Sequence, residues 1–251
     1  MMNKKIFIIT PVLNEEPNME RLLSGWKSIQ KDLKDFDFEF ILIDDGSTDN
    51  TVSKAKSVKE NLNLTILSHE KNQGPGYAFG TGFEYLAGKL QPHDLVVTME
   101  GDNTSRIDTF TKLVYRQLRE GDDVVLASPY AYGGGMTNTA WYRIILSHIA
   151  NGMVKELIGI HGIHTMSSFF RVHTGEIILR LQSKFGKRII ERRGFESMIE
   201  MLKKLILVNA SMSEVAMKLD TSLRAGKSKM KIMRTIRGYF KLFMISRKWK
   251  V

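Results

Sequence analysis

The sequence predicts an α/β protein on a doubly wound, mostly parallel sheet, and two observations carry that expectation. Apolar runs of strand length alternate with amphipathic helical stretches through the first 128 residues. Strict alternation of this kind is the pattern of a parallel sheet with right-handed crossovers. Three of the runs end in polar residues: Asn14-Glu15, Asp44-Asp45 and Glu100-Gly101-Asp102. Ligands of open α/β sheets bind beyond the carboxyl ends of the strands, so these three ends are expected to converge on one site.

The elements follow in order. Lys5 to Thr10 (KIFIIT) reads as a buried strand ended by Pro11 and Asn14. Glu15 to Gln30 reads as a helix with Met19, Leu22, Leu23 and Trp26 on one face. Phe38 to Ile43 is a second strand, followed by Asp44-Asp45-Gly46-Ser47-Thr48-Asp49, in which Asp49 can cap the next helix. Leu64 to Leu67 is a short third strand. The glycine-rich stretch Lys71-Asn72-Gln73-Gly74-Pro75-Gly76 leads into a helix from Tyr77 to about Lys89. Leu95 begins a strand that delivers Glu100 and Asp102, Arg106 to Glu120 is a helix, and Val124 to Ala127 is a strand.

After Ser128 the alternation stops. Gly133-Gly134-Gly135 reads as a flexible loop. Trp141 to Leu157 reads as a helix with Arg143, Ser147 and Asn151 on one face, since residues four apart stack. Ser167 to Val172 is a short strand, and Glu196 to Lys204 a helix with Glu196 and Glu200 one turn apart. Ser228 to Lys248 is a long helix. Lys231, Arg234 and Lys241 lie on one face of it, Ile232, Ile236, Phe240 and Phe243 on another, and Trp249 follows. A basic amphipathic helix with aromatic residues suits an anionic membrane surface. The plainer reading packs its apolar face on its own domain.

Composition narrows the function classes. The 251 residues are 43% hydrophobic and contain no cysteine, which excludes disulfides and thiolate metal sites. No apolar run approaches the ~18 residues that span a bilayer. The first ten residues lack the cleavage site of a signal peptide, so a cytoplasmic protein is expected. The net charge of +10 resides in one place. From Thr221 onward there are ten Lys or Arg and no Asp or Glu, leaving 27 basic residues against all 27 acidic ones elsewhere. A partner of this terminal region is therefore anionic. Nucleic acid is disfavoured as that partner, because the carboxylate-rich strand ends would repel a polyanion.

Glu100 and Asp102 flank one glycine at a strand end, where two carboxylates can hold a hard divalent cation such as Mg²⁺ or Mn²⁺. The bland alternative is an ordinary polar turn. Neither a P-loop nor a dinucleotide-binding fingerprint is present. His161 and His164 stand in a glycine-containing loop without further metal ligands and read as a solvated loop. Glu196 and Glu200 suit structural pairing with Arg or Lys.

Taken together, these motifs resemble the family 2 glycosyltransferases with the GT-A fold, and within them the dolichol- or polyprenyl-phosphate sugar synthases. Pro11-Val12-Leu13-Asn14-Glu15 resembles the family's P-x-x-N-E, and Asp44 to Asp49 its DDGSTD. Lys71 to Gly74 with Gly76, Ala78 and Gly80 resembles its N-x-G-x-G-x-A, and Glu100-Gly101-Asp102 its D-x-D. Trp141, Arg143, Ser147 and Asn151 resemble its acceptor-side helix, and Ser168 to Arg171 the end of its S-G-F-R. Gly194-Phe195-Glu196 with Glu200 resembles its later helix, and Arg224, Gly226, Ser228 and Lys229 its R-x-x-G-x-S-K.

The resemblance implies a reaction and a set of roles. A hexose (mannose or glucose) would pass from a nucleotide diphosphate sugar to a polyprenyl phosphate, with inversion and a divalent metal, at the cytoplasmic face of a membrane. Pro11, Asn14, Glu15, Asp44 and Asp45, with Gly46, Ser47, Lys71 and Gly74, would bind the nucleotide sugar. Glu100 and Asp102 would hold Mg²⁺ or Mn²⁺ on the diphosphate. Arg143, Ser147, Arg224 and Lys229 would hold the acceptor phosphate and help with the donor diphosphate. Residues 1–220 would form the GT-A domain, with a nucleotide-sugar half at 1–128 and an acceptor half at 129–220, and residues 221–251 a membrane-associating appendage. Several positions depart from the family pattern. Glu100 replaces its first Asp, Thr104 stands at a position often held by a metal-binding Gln, and Pro129 replaces an Arg. Thr165 replaces an Asp and Phe169 a Gly. These departures keep a non-lipid acceptor, or a catalytically weak nucleotide-sugar binder, as the alternatives.

Overall fold

The computed structural model describes residues 4–166, 168–225, 238 and 244, without the side chains of residues 143, 146, 150, 153, 157 and 158. The expected helix over Ser228 to Lys248, and with it Lys229, lies outside the described residues.

Strand β1 (Lys4–Val12) leads to helix α1 (Glu16–Asp32), β2 (Phe36–Asp44), α2 (Thr51–Val58), β3 (Leu64–Ser68), α3 (Pro75–Tyr85) and β4 (Leu95–Thr98). Then come α4 (Ile107–Glu120), β5 (Val124–Ser128), β6 (Gly135–Thr137), α5 (Trp141–Ile158), β7 (Arg171–Thr174) and α6 (Gly175–Phe185). The described chain closes with α7 (Ser197–Leu207), β8 (Met212–Ala216), β9 (Lys218–Asp220) and a 3₁₀ turn at Thr221–Leu223.

Seven strands form one sheet in the order β3-β2-β1-β4-β7-β5-β8, and β6 pairs with β9 in a separate ribbon. β1 is parallel to β2 and to β4, so their carboxyl ends share one edge. The central strands β1, β2, β4 and β5 bury both faces. Phe7 and Ile9 of β1 enter one core with Phe79 and Phe83 of α3 and Ile199 and Leu202 of α7. Ile6 and Ile8 enter the other with Trp26 of α1 and Phe110 of α4. Near-continuous apolar strands are what a parallel sheet covered on both sides requires. The face foreseen for α1 is the buried one, and Trp26 stacks on Phe40 at 4.9 Å.

The structure corrects four expectations. Pro11 does not end β1, which runs on to Val12. Pro11 lies past the last β1–β4 residue pair, Ile9 with Thr98, where only β2 remains alongside. The strand expected at Ser167 to Val172 begins at Arg171 and is antiparallel to both β4 and β5. Its direction follows from the path of the chain. β5 ends at the carboxyl edge, β6 and α5 follow, and the chain re-enters the sheet from that same edge. The helix expected to reach Lys89 ends at Tyr85, with a turn through Gly88 (φ +82°) after it. Helix α6 was not foreseen, although Thr174 caps it by accepting from Ile177 N at 3.2 Å.

Candidate active site

The shared carboxyl edge of β1, β2 and β4 carries a continuous polar network. Asn14 turns the chain out of β1 with φ +50°. Its backbone N–H donates to Ser47 Oγ at 2.8 Å, and its Oδ1 accepts from Thr48 N at 2.7 Å. Glu15 N donates to Thr51 Oγ1 at 2.8 Å. Asp44 Oδ1 accepts from Ser47 N at 3.0 Å. Asp49 caps two helices at once, accepting from Glu16 N at 3.2 Å and Thr51 N at 3.0 Å. The N-cap of α2 is Asn50, which makes no side-chain cap bond, and the carboxylate expected to cap this helix sits one residue ahead of it.

Asp45 braces the glycine-rich loop. Its oxygens accept from Gln73 N at 2.9 Å and Gly74 N at 2.7 Å, and one also meets His69 Nδ1 at 2.8 Å. His69 Nε2 in turn meets Thr81 Oγ1 at 3.0 Å. Gly46 has φ +78°, and a Cβ there would stand 2.6 Å from the Lys71 backbone, so only glycine lets β2's end approach this loop. Lys71 itself is exposed.

Glu100 and Asp102 converge on one hydroxyl. Thr104 Oγ1 lies 2.6 Å from Asp102 Oδ1 and 3.2 Å from Glu100 Oε2, and Thr104 N donates to Asp102 Oδ1 at 3.1 Å. Gly101 between them abuts β1, where a Cβ would lie 2.9 Å from Pro11 O. Loss of water, then the charge of Asp102, push the Glu100 carboxyl up to about 7. Arg224 approaches from the chain's far end and places both Nε and Nη2 on Asp102 Oδ2. Arg224, expected at the acceptor phosphate and the donor diphosphate, lies with its guanidinium on the Asp102 carboxylate.

Sequence reasoning missed Asn18, which is 2% exposed. Its Nδ2 donates to Glu15 Oε2 at 2.5 Å and to Ala225 O at 3.3 Å. Its Oδ1 accepts from Asn103 Nδ2 at 3.0 Å and Ala225 N at 3.1 Å. One amide therefore joins α1, the carboxylate turn and the segment that carries Arg224. His69 was also missed, although it follows the end of β3 and the strand-end rule points to it.

The acceptor-side residues divide differently. Ser147 Oγ meets Tyr130 OH at 2.5 Å. Asn151 Oδ1 accepts from Met166 N at 2.9 Å, and its Nδ2 donates to His164 O. The side chain of Arg143 is outside the described set. Arg171 is fully buried, with Nε donating to Ser168 O at 2.8 Å and Nη1 to Met198 O at 3.3 Å. Burial lowers its pKa to about 9, with Glu214 opposing. It ties the 166–168 loop to the first turn of α7. Glu200 pairs with Lys204 at 2.9 Å, the structural role foreseen for it. His164 is not merely solvated, since its Nδ1 lies 2.6 Å from Glu214 Oε2.

Glu100 and Asp102 fit a divalent cation by their chemistry. Two crowded oxygen ligands, one with a raised pKa and the other already balanced by a guanidinium, are a donor set that a hard cation relieves. Among the described residues no group of three or more His, Asp or Glu side chains could hold a metal. The protein would therefore supply two ligands and leave the remainder to water and substrate oxygens, as Mg²⁺ sites commonly do.

A doubly wound sheet with a carboxylate turn beside a braced glycine-rich loop suits a protein that handles a nucleotide with a metal-bound diphosphate. The chain belongs to the family described as "Glycosyl transferase family 2", whose profile matches residues 7–178, more than half of its length. A dolichol-phosphate mannosyltransferase of Pyrococcus furiosus is 29% identical over 143 residues, covering 57% of this chain but only 38% of that protein. A polyprenol monophosphomannose synthase of Mycolicibacterium smegmatis is 24% identical, covering 90% of this chain and 81% of that one. The glucosyl-3-phosphoglycerate synthase of Mycobacterium tuberculosis, solved with Mn²⁺, UDP and phosphoglyceric acid, shares the fold. Its TM-score is 0.65 at 18% identity, over 97% of this chain and 78% of that one.

Proposed function

We propose that this chain transfers a hexose from a nucleotide diphosphate sugar to a polyprenyl phosphate, with inversion, at the cytoplasmic surface of a membrane. The observation that carries the reading is the turn after β4, where Glu100 and Asp102 meet at Thr104 beside the ends of β1 and β2. The named activities of the Pyrococcus and Mycolicibacterium relatives support the acceptor class.

The nucleotide would lie along Pro11, Asn14, Glu15, Asp44 and Asp45, with Gly46, Ser47, Lys71 and Gly74 lining its approach. The loop at 73–74 is held in place for this by Asp45. Glu100 and Asp102 would hold Mg²⁺ or Mn²⁺, which when bound supplies Lewis-acid stabilisation of the departing diphosphate. Arg224, one short shift from Asp102, can meet negative charge that develops there. A phosphate monoester with a second pKa of about 6 is already mostly dianionic at pH 7, so it needs placement more than a base. Arg143, Ser147, Arg224 and Lys229 are proposed to provide that placement. Residues 1–128, 129–220 and 221–251 are proposed as the nucleotide-sugar half, the acceptor half and the membrane-associating appendage. Among the described residues no helix is long and apolar enough to cross a membrane, and a lipid acceptor is proposed to be reached from the membrane surface.

A second reading has its own support: the fold neighbour solved with phosphoglyceric acid has a small anionic compound in its complex. A soluble phosphorylated acceptor would require the same charge matching.

The test is transfer from a panel of radiolabelled nucleotide sugars to polyprenyl phosphate in detergent, with Mg²⁺, Mn²⁺ or chelator. Metal-dependent label in the organic phase, lost in Asp102→Asn, is expected. Label only in a water-soluble product would replace the lipid acceptor with the second reading.

A further inference from the structure

The glycine-rich loop carries two of the residues proposed for the nucleotide, Lys71 and Gly74, and it is held from two sides. On its outer side Gly76 N donates to Arg193 O at 2.9 Å, and a Cβ on Gly74 would stand 2.4 Å from that same oxygen. The segment supplying this carbonyl hangs on Glu200, a fully buried carboxylate of α7 that accepts from Arg192 N at 2.9 Å. On its inner side Gln73 N and Gly74 N both donate to Asp45. The outer hold is made between backbone atoms. The inner hold depends on one carboxylate facing the loop, so whatever orients Asp45 sets the loop.

His69 has the geometry to orient it. Its backbone follows β3 and stays fastened to β2, with His69 N donating to Asp44 O at 2.9 Å. Its ring lies between Asp45 Oδ1, 2.8 Å from Nδ1, and Thr81 Oγ1, 3.0 Å from Nε2. An ionised carboxylate only accepts, so the Nδ1 proton points at Asp45. Thr81 belongs to α3, and its hydroxyl also lies 3.2 Å from Tyr77 O. The Tyr77 ring meets the imidazole edge-on at 5.1 Å, and Arg188 lies over Tyr77 at 3.8 Å. The His69 side chain is 12% exposed. Both ring nitrogens are engaged by the protein, which leaves neither for substrate. Asp45 accepts three hydrogen bonds, of the about four that a carboxylate takes, so it too acts mainly through the loop.

We propose that His69 is a positioning residue for the donor. By fixing Asp45 against Thr81 it holds Gln73 and Gly74, and with them Lys71, in the arrangement that receives the nucleotide. A binding group is placed only as well as the hydrogen bonds behind it allow. The inference rests on the nucleotide-sugar reading above and adds a residue that acts on the donor without touching it. The chain from Asp45 through His69 to Thr81 joins β2, the end of β3 and α3, and includes none of the residues proposed for the acceptor phosphate.

The test compares the wild type with His69→Asn, His69→Gln and His69→Phe in the full chain. The Asn amide nitrogen takes the place of Nδ1 and keeps a donor on Asp45. The Gln amide nitrogen takes the place of Nε2 and leaves Asp45 without that donor, and Phe offers none. Calorimetric titration with UDP and with GDP, both with Mn²⁺, should show affinity about tenfold weaker in His69→Gln and His69→Phe, the scale of a lost hydrogen bond to a charged group. His69→Asn should restore it. Amide exchange at Gln73 and Gly74 should quicken in the Gln and Phe variants and not in the Asn variant. Unchanged nucleotide affinity in His69→Gln, in a wild type that binds, would overturn this inference and leave the nucleotide-sugar reading standing. Equal loss in the Asn and Gln variants would also overturn it, because the ring would then serve packing and not the bond to Asp45. A wild type that binds neither nucleotide would overturn both readings.

Discussion

The edge at β1, β2 and β4 and the helix α5 both present polar residues singled out by their spacing, yet the fold uses them in opposite ways. At the edge, carboxylates gather in one buried polar network, and Glu100 and Asp102 share one small hydroxyl. On α5, Ser147 and Asn151 are consumed by internal bonds to Tyr130 and to the loop at 164–166, while the residues left outside are Trp141, Tyr142, Ile145 and Ile149. Polar spacing on a strand end therefore points to a ligand, because the sheet has no neighbour beyond its edge. Polar spacing on a helix face does not by itself separate a packing face from a ligand site.

The largest effect expected from this contrast is on the edge. Asp102→Asn should lower transfer on the order of a hundredfold or more, as loss of one charge-stabilising group typically does, with an unchanged circular dichroism spectrum.

Two asparagines sharpen the comparison further. Asn18 and Asn151 each tie a loop through both amide atoms. Replacing either with Ala should cost about 1–3 kcal/mol in urea unfolding, since buried partners lose their hydrogen bonds. Only Asn18→Ala should also weaken nucleotide binding, because only Asn18 touches the Glu15 and Asn103 positions.

A smaller effect concerns Arg224. Its guanidinium lies on Asp102 Oδ2, an oxygen of the carboxylate proposed to hold the cation. Arg224→Ala should tighten Mn²⁺ binding to the donor-free protein by about fivefold, the scale of a partly exposed ion pair, while lowering transfer. Unchanged Mn²⁺ affinity would remove Asp102 from the set of ligands.

The smallest is a pH effect away from both regions. Burial, then Arg171, lower the His173 pKa from 6.5 to about 3. The unfolded chain binds this proton below pH 6.5 and the folded chain only near pH 3, so stability falls as pH drops through that window. His173→Phe should flatten that part of the acid limb in thermal melts.

What the sequence made legible follows from the same physics. β1, β2 and β4 were readable because a covered parallel strand is apolar throughout and its end is abruptly polar. The carboxylate pair was readable because its members are two residues apart. The direction of β7 was not, since a four-residue strand of sequence Arg-Val-His-Thr fits either direction and the path through β6 and α5 decides. Asn18 was hidden because its partners Asn103 and Ala225 lie 85 and 207 residues away. The pairing of Arg224 with Asp102, 122 residues apart, was hidden for the same reason. Helix α6 did have a local signal, the Thr174 cap ahead of Ile177, Ile178 and Leu181.

The central claim is that Glu100 and Asp102 serve the donor diphosphate through a divalent cation. Calorimetric titration of UDP and GDP into the wild type and Asp102→Asn, with Mn²⁺ and with chelator, tests it most directly. The account predicts that Mn²⁺ tightens nucleotide binding at least tenfold in the wild type and not in the variant. Equal tightening in both proteins would contradict it and place the metal away from the β4 turn.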